Sequence, residues 1–304
     1  MAVAGLAALA AACGSSDTGS PSPGGSPSPP PLQAVVVSSY SSSGPCSGGA
    51  ACLVQGKGQR IGFFIVDPNG TELADVTASV RLLAIKSQAA SPSPISDWTP
   101  ATYHGKDLQL AGLNRGVYSA SLDLPQLGTY GLEVKATRGA VSATTTSAFF
   151  VLGADPGIPV GSPAPASDNP IQGPGVDIAT IDTGVPPDDM HYISIAGAIA
   201  AHHPMLIYMG TPGFCQTKTC GPEVQVAQDL EKTYKPKGID FIHVETYQGG
   251  RPDAKQTLST TFLQWKLDTE PWIILVDRNG TVVAKFPGAT GPDEISPSLD
   301  RLLS

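Results

Sequence analysis

Charge is scarce in this 304-residue sequence: Asp, Glu, Lys and Arg make up 14% of it. Basic residues are scarcer still, 18 against 26 acidic, for a net charge of −8. Phosphate binding needs clustered Lys and Arg, so the balance argues against a nucleic-acid partner. No run of about 20 apolar residues occurs, so no stretch reads as a membrane-spanning helix. What is plentiful is glycine, 34 residues, and proline, 29. That composition suits an exported chain rich in strands, loops and disordered connectors better than a helical cytosolic enzyme. The length leaves room for two ordinary domains, each able to bury a core.

The first residues, "MAVAGLAALAAAC", read as the apolar core of a signal peptide with small residues before Cys13. They resemble the lipobox of bacterial lipoproteins, in which the cysteine is acylated. The resemblance implies a signal segment over 1–13, lipidation of Cys13 and extracytoplasmic anchoring to the bacterial cell membrane. Leu9 sits one position further from the cysteine than in that pattern, and no Lys or Arg precedes the apolar run. Residues 14–32, "GSSDTGSPSPGGSPSPPPL", contain little that can pack and read as a Pro/Ser/Gly tether. At about 3 Å per residue it spans roughly 50 Å. Setting Cys13 aside leaves two close pairs, Cys46 with Cys52 and Cys215 with Cys220. In an oxidising compartment each is a plausible disulfide.

Residues 33–152 carry short apolar–polar alternations such as "RIGFFIVD", "VYSASLDL" and "TYGLEVKA", separated by turn signals such as Pro68-Asn69-Gly70. Six or seven strands in this span fit an antiparallel sandwich, and "GVYSASLDLPQLGTYGLEVKA" resembles Ig-like modules of bacterial surface proteins. Cys46 and Cys52, in "GPCSGGAAC", lack acidic or histidine neighbours and read as a structural loop staple. Trp98, Tyr103 and His104 lie near a Pro-rich loop and receive no functional role. Residues 153–170 read as a fairly stiff linker with some swing.

From 171 to 304 strands and helices alternate. A weak strand "VDIATI" precedes a helix "ISIAGAIAAH", the strand "PMLIYMG", the cysteine segment, and a helix from about Gly221 to Tyr234. Then come the strand "IDFIHVETY", the helix "STTFLQWKL", a hairpin from "PWIILVD" and "TVVAKF", and a last helix "PDEISPSLDRLL". This is an α/β order with a mixed central sheet. Together "FCQTKTCGP", "TEPW" and "VDRNGTVVAKF" resemble extracytoplasmic thioredoxin-like proteins, the group containing TlpA-type reductases and the Sco copper proteins. The expected fold is thus an all-β Ig-like sandwich followed by an α/β thioredoxin-like fold. Parallel strands deliver Cys215, Cys220, Glu245, Thr246 and Tyr247 to one sheet edge, where Pro271 and Trp272 open an antiparallel strand.

The resemblance implies thiol–disulfide oxidoreductase chemistry by Cys215 and Cys220, on exported protein or small-molecule thiols and disulfides. It also implies a cis peptide between Glu270 and Pro271 that positions substrate. It implies no cofactor and no metal. Laid on the thioredoxin "WCGPC", "TCGPE" makes Cys220 the attacking cysteine and puts Glu223 at the resolving position; laid by chain order, Cys215 attacks. Proximity to the helix start favours Cys220, and Lys218 adds positive charge between the sulfurs. Copper handling is the alternative, with Cys215, Cys220 and His243 as soft ligands; a thioredoxin-fold binding module with a permanent disulfide is another. His202 and His203 belong at the far edge, His243 reads as a core histidine, and His191 lies near the site edge with Asp188 and Asp189.

Overall fold

A computed structural model describes residues 32–74, 76–85, 91–105, 109–110, 113–114, 116–215 and 219–304. The signal and lipidation assignments for 1–13, nearly all of the tether, and Lys218 lie outside them.

The N-terminal strands are β1 (Gln33–Val36), β2 (Cys52–Val54), β3 (Gly56–Val66), β4 (Thr77–Ala84), β5 (Ser93–Pro94) and β6 (Thr99–His104). After the small hairpin β7 (Gln109–Leu110) and β8 (Leu113–Asn114) come β9 (Val117–Leu124), β10 (Gly128–Arg138) and β11 (Val141–Leu152). Apart from that hairpin they form one mixed sheet, ordered β1-β3-β9-β6-β4-β10-β11-β2 with β5 beside β4. Every pairing is antiparallel except β11 with β2.

The sheet curls around a single core that takes Leu53, Phe63, Leu82, Tyr118, Leu132, Val134, Phe149 and Val151 from strands all along it. Alternation builds this: in β9, Tyr118, Ala120, Leu122 and Leu124 are buried while Ser121 and Asp123 face water. β6 lets the sheet turn its corner, since it pairs with β4 through Ala78–Val80 and with β9 through Val117–Ser119. A disulfide joins Cys46 to Cys52, tying the Gly44–Gly49 turn to the start of β2.

The second sheet holds β12 (Met205–Met209), β13 (Asp240–Val244), β14 (Trp272–Val276) and β15 (Val282–Pro287), in the order β13-β12-β14-β15. β12 and β13 are parallel, whereas β14 and β15 run antiparallel to their neighbours. Its helices are α1 (Ile195–Ala200), α2 (Cys220–Tyr234), α3 (Thr260–Gln264) and α4 (Pro292–Leu302). All five residues of β12 and all five of β14 are buried, because each strand is covered on both faces. Leu206, Tyr208, Ile273 and Leu275 meet α2 and α4, while Met205, Ile207, Met209, Ile274 and Val276 meet α1 and α3. A parallel strand–helix–strand unit followed by a hairpin and a closing helix is a thioredoxin-like order.

One expected strand is absent. "VDIATI" makes a helical turn at Ile178–Thr180, because the Asp177 carboxylate accepts from Ala179 N–H and ends any extended run there. Within the span read as a linker, residues 161–164 run along β15, with hydrogen bonds joining Gly161 and Ser162 to Val282 and Ala164 to Gly280.

The two sheets meet over a polar and aromatic seam. The Arg60 guanidinium grips Glu294 at 2.7 and 2.8 Å and donates to the Ala289 carbonyl. His104 Nδ1 lies 2.7 Å from Asp293, and Tyr40 packs edge-on against Trp272 with centroids 5.3 Å apart. Lys285 pairs with Asp155. Gly288 sits at φ +73°, and a Cβ there would stand 2.2 Å from the Val37 carbonyl oxygen, so only glycine permits this approach.

Candidate active site

Three segments converge at one edge of the second sheet because β12, β13 and β14 end or begin there in register. Met209 lies opposite both Val244 and Trp272. The chain leaving β12 runs through Gly210 and Thr211 to Cys215, the chain leaving β13 carries Glu245 and Thr246, and Glu270-Pro271 leads into β14. Gly210 must be small here, since a Cβ would stand 2.6 Å from the Tyr208 hydroxyl.

The Glu270 carboxylate ties these segments together. It accepts from Thr211 N–H at 2.8 Å and from the Thr246 hydroxyl, while Thr246 N–H donates to Thr211 Oγ1 at 3.0 Å. Burial pushes the Glu270 carboxyl above its ordinary range, against the pull of the Thr246 and Thr211 hydrogen bonds. The Glu270–Pro271 peptide is cis, and the Pro271 carbonyl accepts from Gly288 N–H at 3.0 Å.

Cys215 and Cys220 are bonded, with Cα atoms 5.9 Å apart. Cys220 is the first residue of α2 and has no exposed surface, whereas Cys215, on the loop, is half-buried. The Cys220 N–H, at the positive end of the helix, lies 3.2 Å from Cys215 Sγ. The helix start therefore serves Cys215 as electrostatic partner, while Cys220 is shielded. Chain position alone suggested a preference for Cys220, whereas the burial favours Cys215 as the accessible sulfur. One ligand-capable atom from each of Cys215, Cys220 and Glu270 lies within 4.8 Å of the others.

Glu223 does not occupy a resolving position. One turn into α2, it is buried, its Oε2 accepts from Thr290 N–H at 2.9 Å, and its Oε1 meets no donor among the described residues. Burial holds its carboxyl well above the ordinary range. Trp272 is a core residue whose indole N–H donates to the Thr269 carbonyl. Glu245 Oε1 accepts from Thr183 N–H at 2.6 Å and lies 3.7 Å from His243 Nε2, while its Oε2 meets no partner among the described residues; Tyr247 pairs across to Leu258. His203, beside Asp240, stands at the opposite end of β12 together with His202.

His243 is not turned on the sulfurs. Its Nδ1 is 2.9 Å from Asp188 and its Nε2 3.2 Å from the Gly210 carbonyl, and its ring lies 4.9 Å from that of His191. Asp182 completes this group, whereas Asp189 is exposed and meets Lys235. Sequence reading passed over Asp182, because the four residues are scattered over 61 positions without a metal-ligand spacing. The signal was the pairing of "DTGVPPDDMH" with a histidine inside an apolar strand.

No family model matches the sequence, and no curated protein matches it significantly. Among solved structures, the chain is similar to a putative thiol:disulfide interchange protein DsbE from Chlorobium tepidum, at 17% identity and TM-score 0.28, over 34% of this chain and 82% of that one. It is similar to MTB dsbF in its mixed oxidized and reduced forms, at 16% identity and TM-score 0.28, over 41% and 96%. It is also similar to a thiol-disulfide isomerase from Corynebacterium glutamicum, at 14% identity and TM-score 0.33, over 48% and 97%.

Proposed function

We propose that this chain is an extracytoplasmic thiol–disulfide oxidoreductase, tethered to the membrane through a lipid on Cys13. The observation that carries the reading is the Cys215–Cys220 bond at the start of α2, with its more open sulfur beside the Glu270–Pro271 peptide. Two disulfides among the described cysteines support an oxidising compartment. In the same reading the curled N-terminal sheet is an Ig-like domain over 33–152, joined through 153–170 to the thioredoxin-like domain at 171–304. The partners are exported proteins or small thiols and disulfides.

In the reducing direction, the Cys215 thiolate attacks one sulfur of a substrate disulfide. A mixed disulfide forms and the first substrate thiolate leaves. Cys220 then attacks Cys215 Sγ, closing the internal disulfide and releasing the second substrate thiolate; two electrons pass from the cysteine pair to the substrate. Oxidation of a dithiol runs the same steps backward. Glu270 exchanges the thiol proton, being close to both sulfurs and having a carboxyl that burial makes more basic. The half-buried Glu270 backbone before the cis bond to Pro271 is the strand-pairing edge for an extended substrate.

Reduced wild-type protein should turn over a model disulfide such as oxidised glutathione under a coupled reductant. Both Cys215→Ser and Cys220→Ser should abolish that turnover. Turnover retained by either variant, measured spectrophotometrically, removes that cysteine from the mechanism. A second reading, capture of Cu(I) by the reduced pair with Glu270, is favoured only by the proximity of those three donors. Equilibrium dialysis of reduced protein against Cu(I) tests it, and binding no tighter than that of a double-serine variant ends it.

A further inference from the structure

Beside the sulfur site, four side chains that the exchange chemistry does not use form a closed ring. Asp182, Asp188 and His191 come from the loop before α1, and His243 comes from β13. Each imidazole faces both carboxylates. His191 Nε2 lies 3.3 Å from Asp182 Oδ2 and 3.3 Å from Asp188 Oδ1; His243 Nδ1 lies 2.9 Å from Asp188 Oδ2 and 3.9 Å from Asp182 Oδ1. None of the four side chains exposes more than 3% of its surface.

His243 shows what the ring requires. Its Nε2 lies 3.2 Å from the Gly210 carbonyl, which can only accept, so Nε2 carries the hydrogen. A neutral ring then presents a bare Nδ1 lone pair to the Asp188 carboxylate at 2.9 Å. Two lone pairs repel at that distance, so positive charge must stand between them, as a proton or a metal ion. The grouping favours the metal: one ligand atom from each of the four side chains lies within 4.8 Å of the other three, and a tetrahedral ion with ligands at about 2.0–2.1 Å draws such a set together by small side-chain shifts.

We propose that Asp182, Asp188, His191 and His243 bind one divalent ion of the zinc class. A dication neutralises the two carboxylates, as a buried group of charges requires. Paired imidazole and carboxylate donors select a first-row transition ion; calcium takes six or more oxygen ligands. Four protein ligands leave no open position, so the ion is structural. Part of an outer shell is in place: Asp182 accepts from Gly184 and Asp188 N–H, each at 2.7 Å, and Gly210 orients His243, while His191 Nδ1 meets no partner among the described residues. An open cleft of about 660 Å³, with Pro187, Asp188 and Glu231 in its wall, gives the ion a route in. The ion would clamp the loop before α1 to β13 and, through Gly210, steady the loop that carries Cys215.

The test uses the full chain with both disulfides closed, so that no thiolate competes. After chelator treatment, Co²⁺ and Zn²⁺ are titrated separately. One equivalent of Co²⁺ should bind with intense visible bands of tetrahedral geometry and no sulfur charge-transfer band in the near ultraviolet. Zn²⁺ should displace it and raise the melting temperature. His243→Gln should weaken zinc binding by about 100-fold or more. Absence of saturable binding to the wild type overturns the proposal, as does undiminished binding to a folded His243→Gln protein. Should that variant not fold, the wild-type titration and the cobalt spectrum decide alone. Loss of disulfide exchange leaves this result untouched, since the site contains no sulfur.

Discussion

At the scale of single residues, burial decides what the acidic groups near the sulfurs can do. Glu223 is sealed in the core with one oxygen unpartnered, so its carboxyl holds its proton far better folded than unfolded. The sign follows from linkage: well below the ordinary value of 4.5, both states are protonated and nothing is lost. Above it the unfolded chain releases the proton while the native state keeps it, so stability falls as pH rises toward the raised value. Glu223→Gln removes that dependence. Its melting temperature relative to wild type should climb between pH 4 and pH 8, whatever constant offset the amide brings. A difference that stays flat across this range, read by circular dichroism melts, contradicts a carboxyl raised by burial.

Elements rather than residues explain how the two sheets communicate. Glu294 opens α4, accepting from Gly291 N–H, and is held by Arg60 of β3 and by the Ser119 hydroxyl of β9. Burial works to raise its carboxyl, but the Arg60 hydrogen bonds and charge prevail and hold it below the ordinary range. Arg60→Ala strands a mostly buried carboxylate and should cost about 3 kcal/mol, the low end for a broken buried pair because Arg60 remains partly in water. Adding Glu294→Gln should recover part of that loss in urea unfolding. Strictly additive losses would mean that the pair does not couple β3 to α4.

The elements differ in how legible they were. β12 and β14 stand out in sequence because Pro204 and Gly210, or Pro271 and Asp277, bracket five consecutive apolar residues buried on both faces. β9 was legible through its alternation. β6 was not: "TPATYH" contains a proline and lacks apolar periodicity, and it is a strand because β4 and β9 supply partners on both sides. "VDIATI" misled because its apolar residues outweighed a capping aspartate. The cysteine pair and Glu270-Pro271 could be singled out because strand direction brings them to one edge. Which sulfur is shielded could not, because that depends on the tertiary packing around the first turn of α2. The Asp182–His243 grouping depends on a loop path that brings "DTGVPPDDMH" back to β13, and no metal-ligand spacing announces that path.

At the scale of the whole molecule, the seam makes the two sheets act together. Gly288 touches the Val37 backbone, the 161–164 segment is hydrogen-bonded along β15, and Tyr40 packs against Trp272 at the margin of the candidate site. Calorimetry should therefore show one cooperative transition. Gly288→Ala, which forces a Cβ into the Val37 carbonyl at a positive φ, should lower the melting temperature and split the trace in two. Two independent transitions in the wild type would show that the seam contributes little. The central claim remains the chemical proposal that the more open Cys215 sulfur attacks and the shielded Cys220 sulfur resolves. Its most direct test is to mix reduced Cys220→Ser protein with a disulfide substrate and weigh the product. The account predicts a stable mixed disulfide mapped to Cys215, with none formed by Cys215→Ser; an adduct that forms only on Cys220, or on neither cysteine, contradicts it.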